Sequence, residues 1–106
     1  MRKALVKMHD VKAGILSEEN RSNYIFQYEK DYDGPSISLT MPVKPEPYIF
    51  EIFPSFFEGL LPEGIQLEGL LKIHKVDRED YFKQLIIPGA DLVGAVTVTE
   101  IPETNE

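Results

Sequence analysis

The sequence predicts an α+β fold, with about five mainly antiparallel strands and three short helical segments closing one side of the sheet. Three observations carry that reading. Much of the first forty residues alternates apolar with polar at a period of two, as strands with one wet face do. From Tyr48 onward the period changes, and apolar residues recur at helical spacing. Pro62 and Pro88-Gly89 then cut the helical region into short pieces.

Taken in order, residues 2–8 place Ala4, Val6 and Met8 on one face and Lys3, Leu5 and Lys7 on the other. His9-Asp10 follows as a tight turn, although Asn-Gly would be a stronger one. Val11, Ala13 and Ile15 continue the alternation, so residues 2–16 read as a hairpin. Ser17 to Asn23 is polar and reads as a turn. Tyr24, Phe26 and Tyr28 give a third strand with an aromatic face, and Lys30 to Pro35, with Asp33-Gly34-Pro35, is a loop. Ile37, Leu39 and Met41 against Ser36, Ser38 and Thr40 form the cleanest alternation in the chain, read as a fourth strand ending at Pro42. Pro42, Pro45 and Pro47 stiffen an extended connector after it.

The helical region is organised around Phe56-Phe57-Glu58-Gly59-Leu60-Leu61-Pro62-Glu63-Gly64. Phe56, Phe57, Leu60 and Leu61 fall at i, i+1, i+4 and i+5, one continuous apolar stripe on a helix that Pro62 stops. This short helix reads as the plug on which both halves pack, so all four side chains are expected in the core. Leu67, Leu70 and Leu71 mark a second helix over roughly Glu63 to His74. Lys72, His74 and Lys75 at its end complement the helix dipole. Asp77 reads as the N-cap of a third helix, with Asp80 at its third position and Val76 stapled to Tyr81. Leu85 and Ile86 follow four residues after Tyr81 and Phe82, and Pro88-Gly89 ends it. A last strand spans about Leu92 to Thr99, with Leu92, Val96 and Val98 on one face, where Gly94 suggests a close backbone approach or a bulge. Residues 1–100 thus make one domain, and 101–106 an acidic tail.

Composition narrows the function classes. A chain of 106 residues buries roughly 60–70% of its unfolded surface without staples. It has no cysteine, hence no disulfide and no thiolate metal site. No apolar run matches a membrane span or a signal-peptide core, so the chain reads as soluble and cytoplasmic. Eighteen acidic against eleven basic residues leave a net charge of −7, contrary to the basic patch of a nucleic-acid binder. His9 and His74 are not at ligand spacing, and no phosphate loop, dinucleotide fingerprint or nucleophile elbow is present. Glu18-Glu19 and Glu79-Asp80 read as solvated rather than catalytic in so acidic a chain. Tyr24, Phe26 and Tyr28 read as core rather than as a stacking platform for bases. No catalytic, cofactor-binding or metal-ligating residue is assigned.

Five segments, in order and at matching spacing, resemble a known family. They are Gly14-Ile15-Leu16, Phe26-Gln27-Tyr28, Ser38-Leu39-Thr40-Met41-Pro42, Phe56-Phe57-Glu58-Gly59-Leu60-Leu61-Pro62-Glu63 and Asp91-Leu92-Val93-Gly94-Ala95-Val96. Together they are similar to the N-terminal subdomain of HipA-type serine/threonine kinases, toxins of bacterial toxin–antitoxin modules. The most specific part is F-F-x-x-L-L-P-[DE] followed about thirty residues later by D-x-x-G-A. Gly59 stands where the family often has Asn, and Gln66 and Glu68 where basic residues are common. The resemblance implies a small curved, incompletely closed mainly antiparallel sheet of about five strands with three short helices, ahead of a larger kinase body holding the ATP site.

Free-standing versions of this subdomain are the HipS-type antitoxins of three-component HipBST modules. The resemblance therefore implies a non-enzymatic antitoxin that binds a HipT-like kinase toxin, with a HipB-like helix-turn-helix DNA-binding protein as a further member of the complex. Kinases of this family phosphorylate aminoacyl-tRNA synthetases, so the implied outcome is indirect control of translation. The alternative is the N-terminal structural subdomain of a full-length HipA-like kinase; the acidic end, with no start of a kinase segment, favours the antitoxin. A small antitoxin needs a projecting contact, and Pro62, Glu63, Gly64 and Ile65 are the candidate partner-binding residues. Pro62-Glu63-Gly64 forces a corner, and Ile65 points about 200° away from Leu67 on an ideal helix. The plainer reading of the same residues is that Ile65 covers the first helix while Glu63 caps the second.

Overall fold

In the computed structural model of the chain, which describes residues 1–89 and 94–102, five antiparallel strands form one sheet in the order β4-β3-β2-β1-β5. The strands are β1 (Arg2–Met8), β2 (Val11–Asn20), β3 (Asn23–Tyr28), β4 (Tyr48–Phe50) and β5 (Val96–Ile101). The helices are α1 (Ser55–Glu58), α2 (Gly64–His74) and α3 (Tyr81–Ile86), all between β4 and β5. The α+β fold and the open sheet agree with the sequence reading.

The first hairpin turns at His9 and Asp10, with φ of 50° and 66°. Positive φ at both central residues is what a two-residue turn needs to match the twist of its strands. The His9 N–H also donates to the Ala95 carbonyl at 2.8 Å, tying the turn to the start of β5. Alternation then fills one face of the sheet with Ala4, Val6, Leu16, Tyr24, Phe26, Tyr28, Val96 and Val98, all buried. Phe57 of α1 and Phe82 and Leu85 of α3 close on this face. The Phe26 ring lies 4.9 Å from Tyr28 and 5.8 Å from Phe57, in the tilted and edge-on contacts that aromatic quadrupoles favour.

Several expectations need correction. The segment 36–41 is not a strand: a single bridge joins Ser38 to Met41, and Leu39 is fully exposed. Ser38 Oγ accepts from the Thr40 N–H and contacts the Thr40 hydroxyl, so side chains satisfy the backbone locally in place of a ladder. Only Ile37 and Met41 reach the core, where the Tyr28 hydroxyl accepts from the Ile37 N–H and donates to the Met41 carbonyl. The place beside β3 belongs instead to β4, whose three residues are too few to show a period. β2 runs on to Asn20, because Glu18 faces inward.

Of the plug residues, Phe57 is fully buried, while Phe56, Leu60 and Leu61 are half-buried against the core. α1 is a single turn, and Leu60 and Leu61 continue it with three-residue hydrogen bonds to Phe57 and Glu58. α2 contributes no buried residue, so among the described helices it is α1 and α3 that close on the sheet. Asp80, not Asp77, caps α3, accepting from the Lys83 N–H at 3.2 Å. Asp77 serves the preceding turn, accepting from the Glu79 N–H at 2.9 Å.

Gly94 is not a core residue. It is exposed, with φ of 113° and open space where a Cβ would stand, so a backbone conformation rather than close packing calls for glycine. The close approach belongs to Gly89, where a Cβ would overlap the Val98 carbonyl oxygen and lie 2.7 Å from its carbon. β5 reaches Ile101, one residue into the expected tail; Leu92 and residues 103–106 lie outside the described residues.

Candidate partner-binding surface

Pro62, Glu63, Gly64 and Ile65 form a corner built from backbone chemistry. Leu60 and Leu61 anchor one side of it against the core. Proline cannot donate to the tightening turn, and Glu63 is extended, with φ of −132° and ψ of 164°. Gly64 then takes φ of 59°, a left-handed conformation that β-carbon sterics disfavour in most other residues. This reversal launches α2 away from the core. The Glu63 carbonyl accepts from the Leu67 N–H at 3.4 Å, while its side chain caps nothing. Ile65, the first side chain beyond the corner, is 91% exposed.

α2 is tied down at its far end. Lys75 is left-handed at φ 54°, and the Val76 N–H donates to the Leu71 carbonyl at 3.0 Å, a Schellman-type closure with Val76 buried. Arg78 forms a fork on Glu68 through two hydrogen bonds of 2.8 Å, and that fork holds the exposed Glu68 carboxyl below its ordinary range. Between these ties, Leu67, Leu70 and Leu71 are half-buried and Ile73 is 76% exposed. Ile65, Gly69 and Ile73 recur at every fourth position, so one stripe of α2 offers two isoleucines to solvent with no side chain between them.

A convergent charged cluster lies elsewhere and joins Arg2 of β1, Glu18 of β2 and Asp80 at the start of α3. Arg2 Nε donates to Glu18 at 2.7 Å, and its two terminal nitrogens donate to Asp80 at 3.0 and 2.8 Å. The Tyr24 hydroxyl donates to the other Glu18 oxygen at 3.0 Å. The guanidinium lies 5.0 Å from the Phe82 ring centroid. Burial pushes the Asp80 carboxyl up, but hydrogen bonds from Arg2 and the Lys83 N–H outweigh that and hold it below its ordinary range. Tyr24 is pushed up to about 12, by burial first and then by its bond to Glu18. Every member is engaged with a neighbour, so the cluster clasps β1 to α3.

Sequence reasoning placed Glu18 and Asp80 among solvated acids and so missed this clasp. The available signal was parity: Glu18 continues the inward positions of Leu16. Tyr24, Phe26 and Tyr28 are buried, so their ring faces are not offered to bases. Among the described residues, no group of three or more His, Asp or Glu side chains is placed to hold a metal ion.

Comparison with known proteins places this geometry in context. A family model described as the HipA N-terminal domain matches residues 4–99. An uncharacterized protein of Haemophilus influenzae (strain Rd) is 31% identical over 87 residues, covering 82% of this chain and 81% of that protein. A solved structure described as the N-terminal domain of HipA toxin superposes with a TM-score of 0.78 at 26% identity, covering 98% of this chain and 96% of the other.

Proposed function

The chain belongs to the HipA N-terminal domain family, and from that premise we propose that it is an antitoxin of the HipS type, binding and inhibiting a HipT-like serine/threonine kinase in trans. In this reading it carries no catalytic group of its own. The family match is to the N-terminal domain alone, which is compatible with a non-enzymatic role. A HipB-like helix-turn-helix protein completes the complex.

The observation that supports the reading is the corner and the helix behind it. α2 carries five large apolar residues, and none of them is buried. Exposure of a single apolar residue is ordinary. Here a left-handed glycine and a proline hold Ile65 outward, close to a Glu63 carboxylate that has no hydrogen bond or ion pair among the described residues. We assign Ile65 as the apolar anchor in the kinase, and Glu63 as the partner of a basic phosphate-binding group there. Such a charge pair favours inhibition over mere docking.

The test uses Ile65→Asp and Glu63→Lys, each first checked for an unchanged melting curve. Candidate kinases for the test are taken from the neighbouring reading frames. Both variants should lose binding to the kinase in pull-down and fail to rescue growth from it. If both still bind and rescue, the corner is not the inhibitory contact. The isolated chain should give no saturable heat with Mg-ATP in calorimetry; a saturable signal overturns the non-enzymatic reading.

A further inference from the structure

A second surface lies where the cover of the sheet runs out. The inner face of edge strand β4 presents Tyr48 and Phe50, both half-buried. Beside them the turn at Thr40 and Met41 and the segment from Ile52 to Phe56 bound an open groove. Ile52 is 72% exposed on its wall. The far edge of β4 receives no backbone hydrogen bond from any other described segment. The groove therefore combines apolar side chains with a free strand edge, the two ingredients of recognition by strand addition.

Charge decides what fits. Glu51 lies between Phe50 and Ile52 in the chain, Glu58 follows Phe56 by two residues, and Glu46 precedes β4; all three are exposed. None forms a hydrogen bond or ion pair through its carboxylate among the described residues. The neighbouring cation, Lys44, sits over the Tyr48 ring with its nitrogen 4.1 Å from the centroid, so a pairing of opposite charges does not hold it. A second copy of this chain would bring the same carboxylates and be repelled.

We propose that this groove binds an extended segment of a partner protein in which apolar residues alternate with lysine or arginine. Alternation sets apolar side chains against Phe50, Ile52 and Phe56 while the basic ones fall on the opposite side, that of Glu51. The groove shares no lining residue with the Pro62–Ile65 corner, and the proposal does not depend on the kinase reading.

Titration of the isotopically labelled full chain with a capped hexapeptide of alternating lysine and valine, followed by amide chemical shifts, tests this. Saturable shifts confined to Tyr48–Ile52 and Phe56 are expected, with little response to the glutamate–valine counterpart. Ile52→Ser should weaken binding at least fivefold, and Glu51→Lys should abolish it. Ile65→Asp should bind as the parent does. Absence of saturation, shifts scattered over all exposed carboxylates, equal binding of the acidic peptide, or unchanged affinity in Ile52→Ser would each overturn the proposal.

Discussion

Replacing Arg2 with methionine tests the clasp between β1 and α3. Methionine keeps an apolar stem of similar length but removes four donor contacts: one hydrogen bond and one close ion-pair contact to Glu18, and two hydrogen bonds to Asp80. Among the described residues, the Glu18 carboxylate keeps only the Tyr24 hydroxyl and that of Asp80 only the Lys83 N–H. The Glu18 side chain is 9% exposed and that of Asp80 15%, so water replaces the guanidinium poorly. Removing one partner of a fully buried pair costs about 3–5 kcal/mol and of an exposed pair about 0–1 kcal/mol; Arg2 lies between, and about 2–3 kcal/mol is expected at pH 7. In thermal denaturation that is a fall of roughly 10–20 °C for a domain of this size. Asp80→Asn separates the two roles of that residue, since asparagine still caps the helix but no longer pairs as an ion. The pH dependence has a definite sign. Asp80 is held below its ordinary value in the fold, so its contribution is complete above the unfolded carboxyl range of about 4 and fades as pH falls through the lowered value. The gap between parent and Arg2→Met should therefore narrow below about pH 4. Equal melting temperatures at pH 7, or a gap that widens in acid, would refute the clasp.

Two further substitutions probe the core and its closest backbone contact. Phe57→Ala should cost about 3–5 kcal/mol, as expected for emptying a fully buried aromatic site, and is read by urea denaturation; an equally stable variant would remove α1 from the core. Gly89→Ala should destabilise by at least about 2–3 kcal/mol, because its methyl meets the Val98 backbone rather than a side chain that can rotate away. Hydrogen exchange should show the loss first in β5, and a fully protected β5 in that variant would contradict the contact.

Legibility in the sequence followed the reach of the interactions. The His9-Asp10 hairpin, the aromatic face of β3 and the span of α2 were readable because each is set by neighbours a few residues away. The segment 36–41 misled because alternation presumes an extended backbone; here the chain turns, so Leu39, of the same parity as Ile37 and Met41, is fully exposed. Ile37 and Met41 do face inward, but the Tyr28 hydroxyl holds them as a turn. Gly94 and Gly89 exchanged roles for a similar reason: the sequence marks both as special, and only the fold shows which one meets another backbone. Glu18 was missed because the alternation of Val11, Ala13 and Ile15 breaks at Ala13-Gly14, after which Leu16 and Glu18 face inward, and because its partners Arg2 and Asp80 are distant in the chain. At the corner, Pro62 and Gly64 announced the bend, whereas the exposure of α2 followed only from seeing that α1 and α3 already cover the sheet.

The position of β1 between β2 and β5 has a kinetic consequence. On one side Lys3 pairs with Ser17, and on the other with Ile101, across almost the whole chain. The hairpin side can zip as soon as its turn forms. The other side carries about 2 kcal/mol more loop-closure entropy, by logarithmic scaling with loop length. The pairing of β5 is therefore expected late in folding, and slowly, as non-local topologies dictate. During synthesis the edge of β1 stays unpaired until the first residues of β5 have emerged, and through that interval it is a template for any other strand within reach.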